Sequence, residues 1–333
     1  MLNILSMGWA LPKTELPNSF LQKELGLERG QDWVDSRLGI DNRFSVLSRE
    51  YILKTRNKDP MQAILHAKAH GETPVTLAAR AGKMALDKAG LKPEQVGMVL
   101  INCDTPFDLV PSAATAVAKA LGIPGGPHME LNSACSSFAL HMHALGQARP
   151  ETLPDFILTL QVAAYTTRVD FSPKCYDAYI WGDGAAAQVV SPRHPGRLTV
   201  EPMIFETAPE QAYEISVETT GHFTQNGALV REFSIRKTCE MYERIAEAKG
   251  LYAEQVYTVS HQANYVMQDS ILGHLQLPAE RHIRNVRRQG NIGAAGCPSA
   301  IAQRLDALHS GDQIVYAVLG AGLAWGGGYM EVR

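Results

Sequence analysis

Short apolar runs recur along this chain at intervals wide enough for a helix between them, and that rhythm limits the folds open to it. The run 97–102 (Gly-Met-Val-Leu-Ile-Asn) reads as a buried strand, and 111–121 then reads as a helix, with Ser112 near its start and Ala, Val and Leu at helical spacing. Further strands are expected at 156–160, 185–190, 255–260, 313–319 and 329–332, and further helices at 138–147, 234–248, 263–275 and 298–309. Strands alternating with helices imply an α/β fold with largely parallel sheets covered on both faces. The length of 333 residues is ample for such a core.

The same pattern occurs twice. Cys103 closes one strand and lies 32 residues before Cys135, which opens a helix; His261 closes another and lies 30 residues before Asn291, which also precedes a helix. Two related halves are therefore expected, 1–192 and 193–333, divided near the Pro/His/Gly stretch 191–197. The polar segment 45–75 reads as an inserted excursion, either a solvated surface loop or a wall over a substrate tunnel.

Composition excludes several classes of function. Lys+Arg 31 against Asp+Glu 34 leaves a net charge of −3, with no global attraction for nucleic acid or an anionic membrane. Residues 1–20 lack a basic start and a long apolar run, so no signal peptide is expected, and no stretch reaches the length of a spanning helix. The five cysteines (103, 135, 175, 239 and 297) are odd in number and form no CxxC, which argues against a disulfide scaffold or a zinc finger and for a reduced, cytoplasmic compartment.

Three residues invite a chemical reading. Cys135, in Asn132-Ser133-Ala134-Cys135-Ser136-Ser137, sits where a helix begins; free N–H groups and the macrodipole there favour thiolate. Taken alone, a buried structural cysteine is the commoner case. His261 (Ser260-His261-Gln262-Ala263-Asn264) follows an apolar strand, and strand ends are where ligands bind in parallel sheets. A hydrogen-bonded surface histidine would look the same. Asn291 (Gly290-Asn291-Ile292-Gly293-Ala294-Ala295) offers a donor and an acceptor among small residues, as a simple helix cap also would. The turn 320–328, Gly320-Ala321-Gly322-Leu323-Ala324-Trp325-Gly326-Gly327-Gly328, permits close approach and backbone donation but lacks the context of a dinucleotide fingerprint. The run 181–185 reads as a structural bend before a strand.

Together, and in this order, these motifs resemble the β-ketoacyl-acyl-carrier-protein synthase III family of the thiolase superfamily. The run 33–40, ending Arg37-Leu38-Gly39-Ile40, the run Pro111-Ser112-Ala113-Ala114, and Gly182-Asp183-Gly184-Ala185 fit as well. The resemblance implies a five-layered α-β-α-β-α fold of two duplicated halves, working as a cytoplasmic homodimer. It implies that Cys135 is acylated by an acyl-CoA. His261 and Asn291 would bind a malonyl thioester, on CoA or on acyl-carrier protein, and stabilise its enolate, and the N–H groups of Cys135 and Ala321 would form the oxyanion hole. Trp33 and Arg37 would meet the CoA, with Asn264 nearby. No metal or other cofactor is implied, and neither nucleic acid nor membrane is an expected partner.

The chain departs from the family pattern in several places. Val110 stands where the family has a bulky aromatic that closes the partner subunit's acyl pocket, so a primer longer than acetyl is expected. Tyr265 and Val266 stand where a basic residue would help receive the carrier protein; the next cation is Arg281. A synthase of secondary metabolism, or an acyltransferase passing the acyl group to another nucleophile without decarboxylation, would fit these departures. Two other classes remain. Papain-like proteases also use Cys, His and Asn, but with the Cys near the mature N-terminus in an aromatic-rich flank. A silent partner subunit would have lost at least one of the three residues.

Overall fold

The computed structural model describes residues 1–252 and 255–333. Its largest sheet has nine strands. The N-terminal flank is built from β1 (Leu2–Ala10), β4 (Met98–Cys103), β5 (His128–Glu130), β6 (Ile157–Ala164) and β7 (Asp183–Ser191). The C-terminal flank is built from β8 (Leu198–Thr207), β11 (Tyr257–Ser260), β12 (Gln313–Gly320) and β13 (Ala324–Val332). Two minor pairs lie apart: β2 (Thr14–Glu15) with β3 (Phe44–Ser45), and β9 (Ile215–Val217) with β10 (Phe223–Gln225).

The order β11-β12-β13-β8-β1-β7-β6-β4-β5 reads outward from its centre as one pattern repeated. In each flank an inner strand pairs antiparallel with the next, that pairs antiparallel with a third, and the third pairs parallel with a fourth. The flanks meet only where Leu2–Ile4 of β1 faces Leu198–Val200 of β8. The expectation of largely parallel sheets is corrected here. Only β4/β5, β4/β6 and β11/β12 are parallel. Parallel neighbours need a crossover, and each of these pairs has at least one helix between its members; β12 by contrast returns to its antiparallel neighbour β13 through a turn of three residues.

The helices are α1 (Gln31–Arg37), α2 (Arg49–Thr55), α3 (Pro60–Ala69), α4 (Pro74–Ala89), α5 (Ala113–Leu121), α6 (Ser137–Gln147), α7 (Gly227–Lys249), α8 (Tyr265–Leu275), α9 (Val286–Gln289) and α10 (Gly296–Arg304). They form three layers around the sheet flanks. Outside the N-terminal flank, α4 and α5 bury Leu77, Ala81, Leu86 and Val117 with Val99, Ile101, Leu158 and Leu160. Outside the C-terminal flank, α7 and α8 bury Tyr242, Ile245 and Ile271 with Val315, Ala317 and Leu319. Between the flanks, α6 and α10 share one core with inward residues of both, including Leu100, Ile157, Ile314 and Val318. The middle helices cross over: α6, from the first half, packs mainly on β8 and β13, and α10, from the second, mainly on β7 and β1. The fold is thus the five-layered α-β-α-β-α arrangement of two duplicated halves. No helix among the described residues is long and apolar enough to cross a membrane.

The segment 45–75 is largely helical, and none of its residues lines the cavity that holds Cys135. It forms α2 and α3, which bury Ile52, Ala63 and Ala67 against the outer core.

Candidate active site

Cys135, His261 and Asn291 come from three different chain segments and line one cavity of about 650 Å³. Each is held by local chemistry legible in its flanking residues.

Cys135 sits on a tight turn leading into α6. Ala134 adopts a left-handed φ of 45°, and small hydroxyl residues stabilise the turn. Ser137 Oγ donates to Ala134 O and accepts from Ser133 N–H, Ser136 Oγ donates to Ser133 O, and Ala134 N–H donates to Asn132 Oδ1. Gly320, ending β12, passes so close that a Cβ would stand 2.7 Å from Ser133 O and 2.8 Å from Cys135 N. Glycine is therefore required there by space.

His261 extends β11, its N–H donating to Ala317 O at 3.0 Å. Its ring is buried, and Nδ1 has no hydrogen-bond partner among the described residues. Burial pushes its pKa down to about 4, so the imidazole is neutral at physiological pH. Asn291 is pinned against the bend before β7: its N–H donates to Ile180 O and its carbonyl accepts from Gly182 N–H. Its Oδ1 accepts from Gly293 N–H at 2.9 Å, which leaves the amide N–H as the donor for a ligand.

The other expected residues divide. Ala321 lines the cavity beside Cys135. Trp33 and Arg37 of α1 line its outer end, where the Arg29 guanidinium lies 5.0 Å from the centre of a Trp33 ring. Asn264 also lines it and caps α8, accepting from Met267 N–H; Leu38 O takes the N–H groups of Tyr265 and Val266. Val110 lies outside this chain's own cavity and is 84% exposed, next to Leu109 at 78%. Tyr265, just before Val266, which stands at the family's basic position, lies against two cations: the guanidinium carbons of Arg284 and Arg287 lie 3.7 and 4.4 Å from its ring centre.

Two expectations need correction. Gly326, Gly327 and Gly328 are strand residues, not a ligand-binding turn; a Cβ on them would meet Phe205, Ala139, Tyr316 O or Glu201 O. The helix start alone does not favour the Cys135 thiolate. Burial, reinforced by the negative charge of Asp104, pushes the thiol pKa up and outweighs hydrogen bonding by Tyr165 and the local backbone.

Asp104 and Tyr165 were not found in the sequence, although both line the cavity. Asp104 stands just beyond β4, the same kind of position that drew attention to His261. Tyr165 follows β6 and forms an aromatic cluster with Trp181 and Phe223, at centroid distances of 4.5 and 6.1 Å. With Ile215 and Val217 of β9, this cluster makes the apolar wall.

Residues 246–332 match the family model described as 3-oxoacyl-[acyl-carrier-protein] synthase III C terminal. A β-ketoacyl-[acyl-carrier-protein] synthase III of Cereibacter sphaeroides is 28% identical, covering 96% of this chain and 95% of its own. Over nearly its whole length the chain is similar to enzymes named β-ketoacyl-[acyl-carrier-protein] synthase III. Among solved structures, the synthase III of Aquifex aeolicus superposes with a TM-score of 0.86 at 24% identity, covering 99% of this chain and all of its own. That of Pseudomonas aeruginosa gives 0.84 at 25% identity, covering 100% and 98%. The enzymes that bear this name are acyltransferases of the condensing class.

Proposed function

We propose that Cys135 accepts the acyl group of an acyl-CoA and that the acyl-enzyme then condenses with a malonyl thioester. In the first step Cys135 Sγ displaces the CoA thiol. In the second the malonyl carboxylate leaves as CO₂, and its α-carbon attacks the Cys135 thioester. A 3-oxoacyl thioester is released, and the departing Cys135 thiolate takes up one proton from solvent to restore the thiol. The observation that carries this reading is the convergence of Cys135, His261 and Asn291 on one cavity, with two side-chain donors facing a buried nucleophile. His261 and Asn291 hydrogen-bond the malonyl thioester oxygen as negative charge develops on it. The N–H groups of Cys135 and Ala321 serve the acyl oxygen. Such donors are each worth about 3–4 kcal/mol in acyl transfer.

Trp33, Arg29 and Arg37 offer an aromatic face and cations where the nucleotide end of CoA would lie, and Asn264 flanks the pantetheine path. The working unit is a homodimer in which the exposed Leu109-Val110 corner of each subunit reaches the other's acyl pocket. With Val110 there in place of an aromatic, primers longer than acetyl are accommodated.

The test is intact-mass analysis of the protein with acyl-CoAs of graded length, followed by a malonyl thioester. Wild type gains the acyl mass and loses it as 3-oxoacyl product. Cys135→Ala gains none; an adduct that persists in Cys135→Ala overturns the reading.

A further inference from the structure

The catalytic cavity is lined by two polar groups for which the condensation described above has no use, the Asp104 carboxyl and the Asn132 side-chain amide. A third residue ties them together. Asn102 Nδ2 donates to Asp104 Oδ1 at 2.8 Å and to Asn132 Oδ1 at 2.9 Å, so the two groups lie one hydrogen bond to either side of the same nitrogen. Asn132 Oδ1 also accepts from Ala134 N–H at 2.8 Å, which fixes the pair beside the turn that carries Cys135.

Hydrogen-bond accounting shows what each group has to offer. Both acceptor positions of Asn132 Oδ1 are filled, and its Nδ2 carries two N–H donors that make no bond among the described residues. Asp104 Oδ2 accepts from Tyr165 Oη at 2.9 Å. Gly293, with a left-handed φ of 62°, crowds the same oxygen: a Cβ there would stand 3.3 Å from Oδ2 and 2.7 Å from the Tyr165 ring. Asp104 Oδ1 accepts only from Asn102 and keeps one acceptor position. Burial lifts the carboxyl above the ordinary carboxylate range, against the hydrogen bonds of Asn102 and Tyr165, and no cation offsets it. Asp104 is nonetheless only partly covered, and Asn132 is exposed, so a ligand in the cavity can reach both.

We propose that Asp104 and Asn132 form a subsite for a hydroxyl group carried by the acyl primer close to its thioester end. This rests on the reading of the cavity as an acyl-CoA site. The hydroxyl donates to Asp104 Oδ1, and its oxygen accepts from Asn132 Nδ2–H. Those two roles select the group. An ammonium can only donate, and it would set its own N–H groups against those of Asn132. A carboxylate, such as that of a malonyl thioester, can only accept, and it would face Asp104 with like charge. A plain alkyl chain would cover both groups and leave them without partners. The hydroxyl belongs near the thioester because Asn132 stands three residues before Cys135 in one tight turn.

The test compares octanoyl-CoA with 2-hydroxyoctanoyl-CoA, 3-hydroxyoctanoyl-CoA and 3-aminooctanoyl-CoA. Affinity is measured by isothermal titration calorimetry on Cys135→Ala, where no acylation intervenes, and self-acylation of wild type is followed by intact mass. One hydroxylated form should bind about 10–100-fold more tightly than octanoyl-CoA, and wild type should be acylated with the same preference. The ratio of affinities is the readout, since damage to the turn would weaken all ligands alike. Adding Asp104→Ala removes the acceptor, and the preference should fall about tenfold. Adding Asn132→Asp keeps the Oδ1 acceptor for Ala134 N–H and Asn102 but replaces the N–H donors with a second carboxylate oxygen; the preference should move from the hydroxyl to the 3-amino ligand. Equal affinities for octanoyl-CoA and both hydroxylated forms, or no binding of any, overturn the subsite, and so does a hydroxyl preference unchanged by Asn132→Asp. A 3-amino ligand preferred before that substitution overturns the assignment to a hydroxyl. Should Asp104→Ala fail to fold, Asn132→Asp decides alone. Failure of wild type to be acylated by any of the four overturns the nucleophile instead, and the affinities on Cys135→Ala still decide the subsite.

Discussion

His261 and Asn291 reach the cavity as neutral donors, and the two donors differ in how they respond to change. The imidazole, held near pKa 4 by burial, carries no charge from pH 5 to 9. Malonyl decarboxylation by the pre-acylated enzyme should therefore show no limb near pH 6.5; activity tied to His261 is lost only as pH falls toward 4. Steady-state rates across that range check this, and a limb at 6.5 would contradict it. Asn291→Asp keeps the acceptor for Gly293 N–H but puts a carboxylate where the enolate needs a donor. Decarboxylation should fall about 10²–10³-fold with self-acylation retained, measured as CO₂ release against the mass of the Cys135 adduct. The identities of Cys135, His261 and Asn291 were legible because each lies in a short motif at a strand or helix boundary. Tyr165 was not, since nothing in Ala163-Ala164-Tyr165-Thr166 sets its hydroxyl apart from that of any core tyrosine. Its partner Asp104 lies 61 positions upstream, brought to it by the pairing of β4 with β6.

At the scale of elements, β12 and the Cys135 turn depend on each other through a single missing side chain. Gly320→Ala would press a methyl into Ser133 O and the N–H groups of Cys135 and Ser136, with backbone on every side. We expect a loss of about 1–3 kcal/mol of stability, seen in a thermal melt, and, with Cys135 as the proposed nucleophile, a larger proportional loss of self-acylation, since the displaced atoms belong to the turn that bears it. Strands such as β4, β6 and β12 were readable as apolar runs because they are buried on both faces. β1, β8 and the first half of β13 were not. β8 is fully buried only at Leu198–Val200 and at Ile204 and contains Pro202, and β13 carries three glycines that sequence alone marks as a turn. Close packing against Phe205, Ala139 and Tyr316 is what requires those glycines, and only the folded neighbours reveal it.

For the whole molecule, the apolar corner at Leu109 and Val110 lies far more open than an apolar pair in a finished surface needs to be. If a second copy covers it, Val110→Phe refills the partner's pocket. The chain-length profile of self-acylation should then shift toward acetyl, with each methylene lost from the favoured primer changing binding severalfold, about 0.8 kcal/mol. Mass spectra against graded acyl-CoAs measure that shift, and light scattering gives the subunit count. The crossing of α6 and α10 has a consequence of another kind. Each half lends its central helix to the other's strands, so neither can bury its own inner sheet face from its own sequence. Severed near residue 192, each piece would present a broad bare apolar surface. A chain carrying one such unit could stay in solution only by exchanging helices with a twin. The present molecule resembles that exchanged pair with a covalent thread between its members: two copies of one plan that can be told apart but not taken apart.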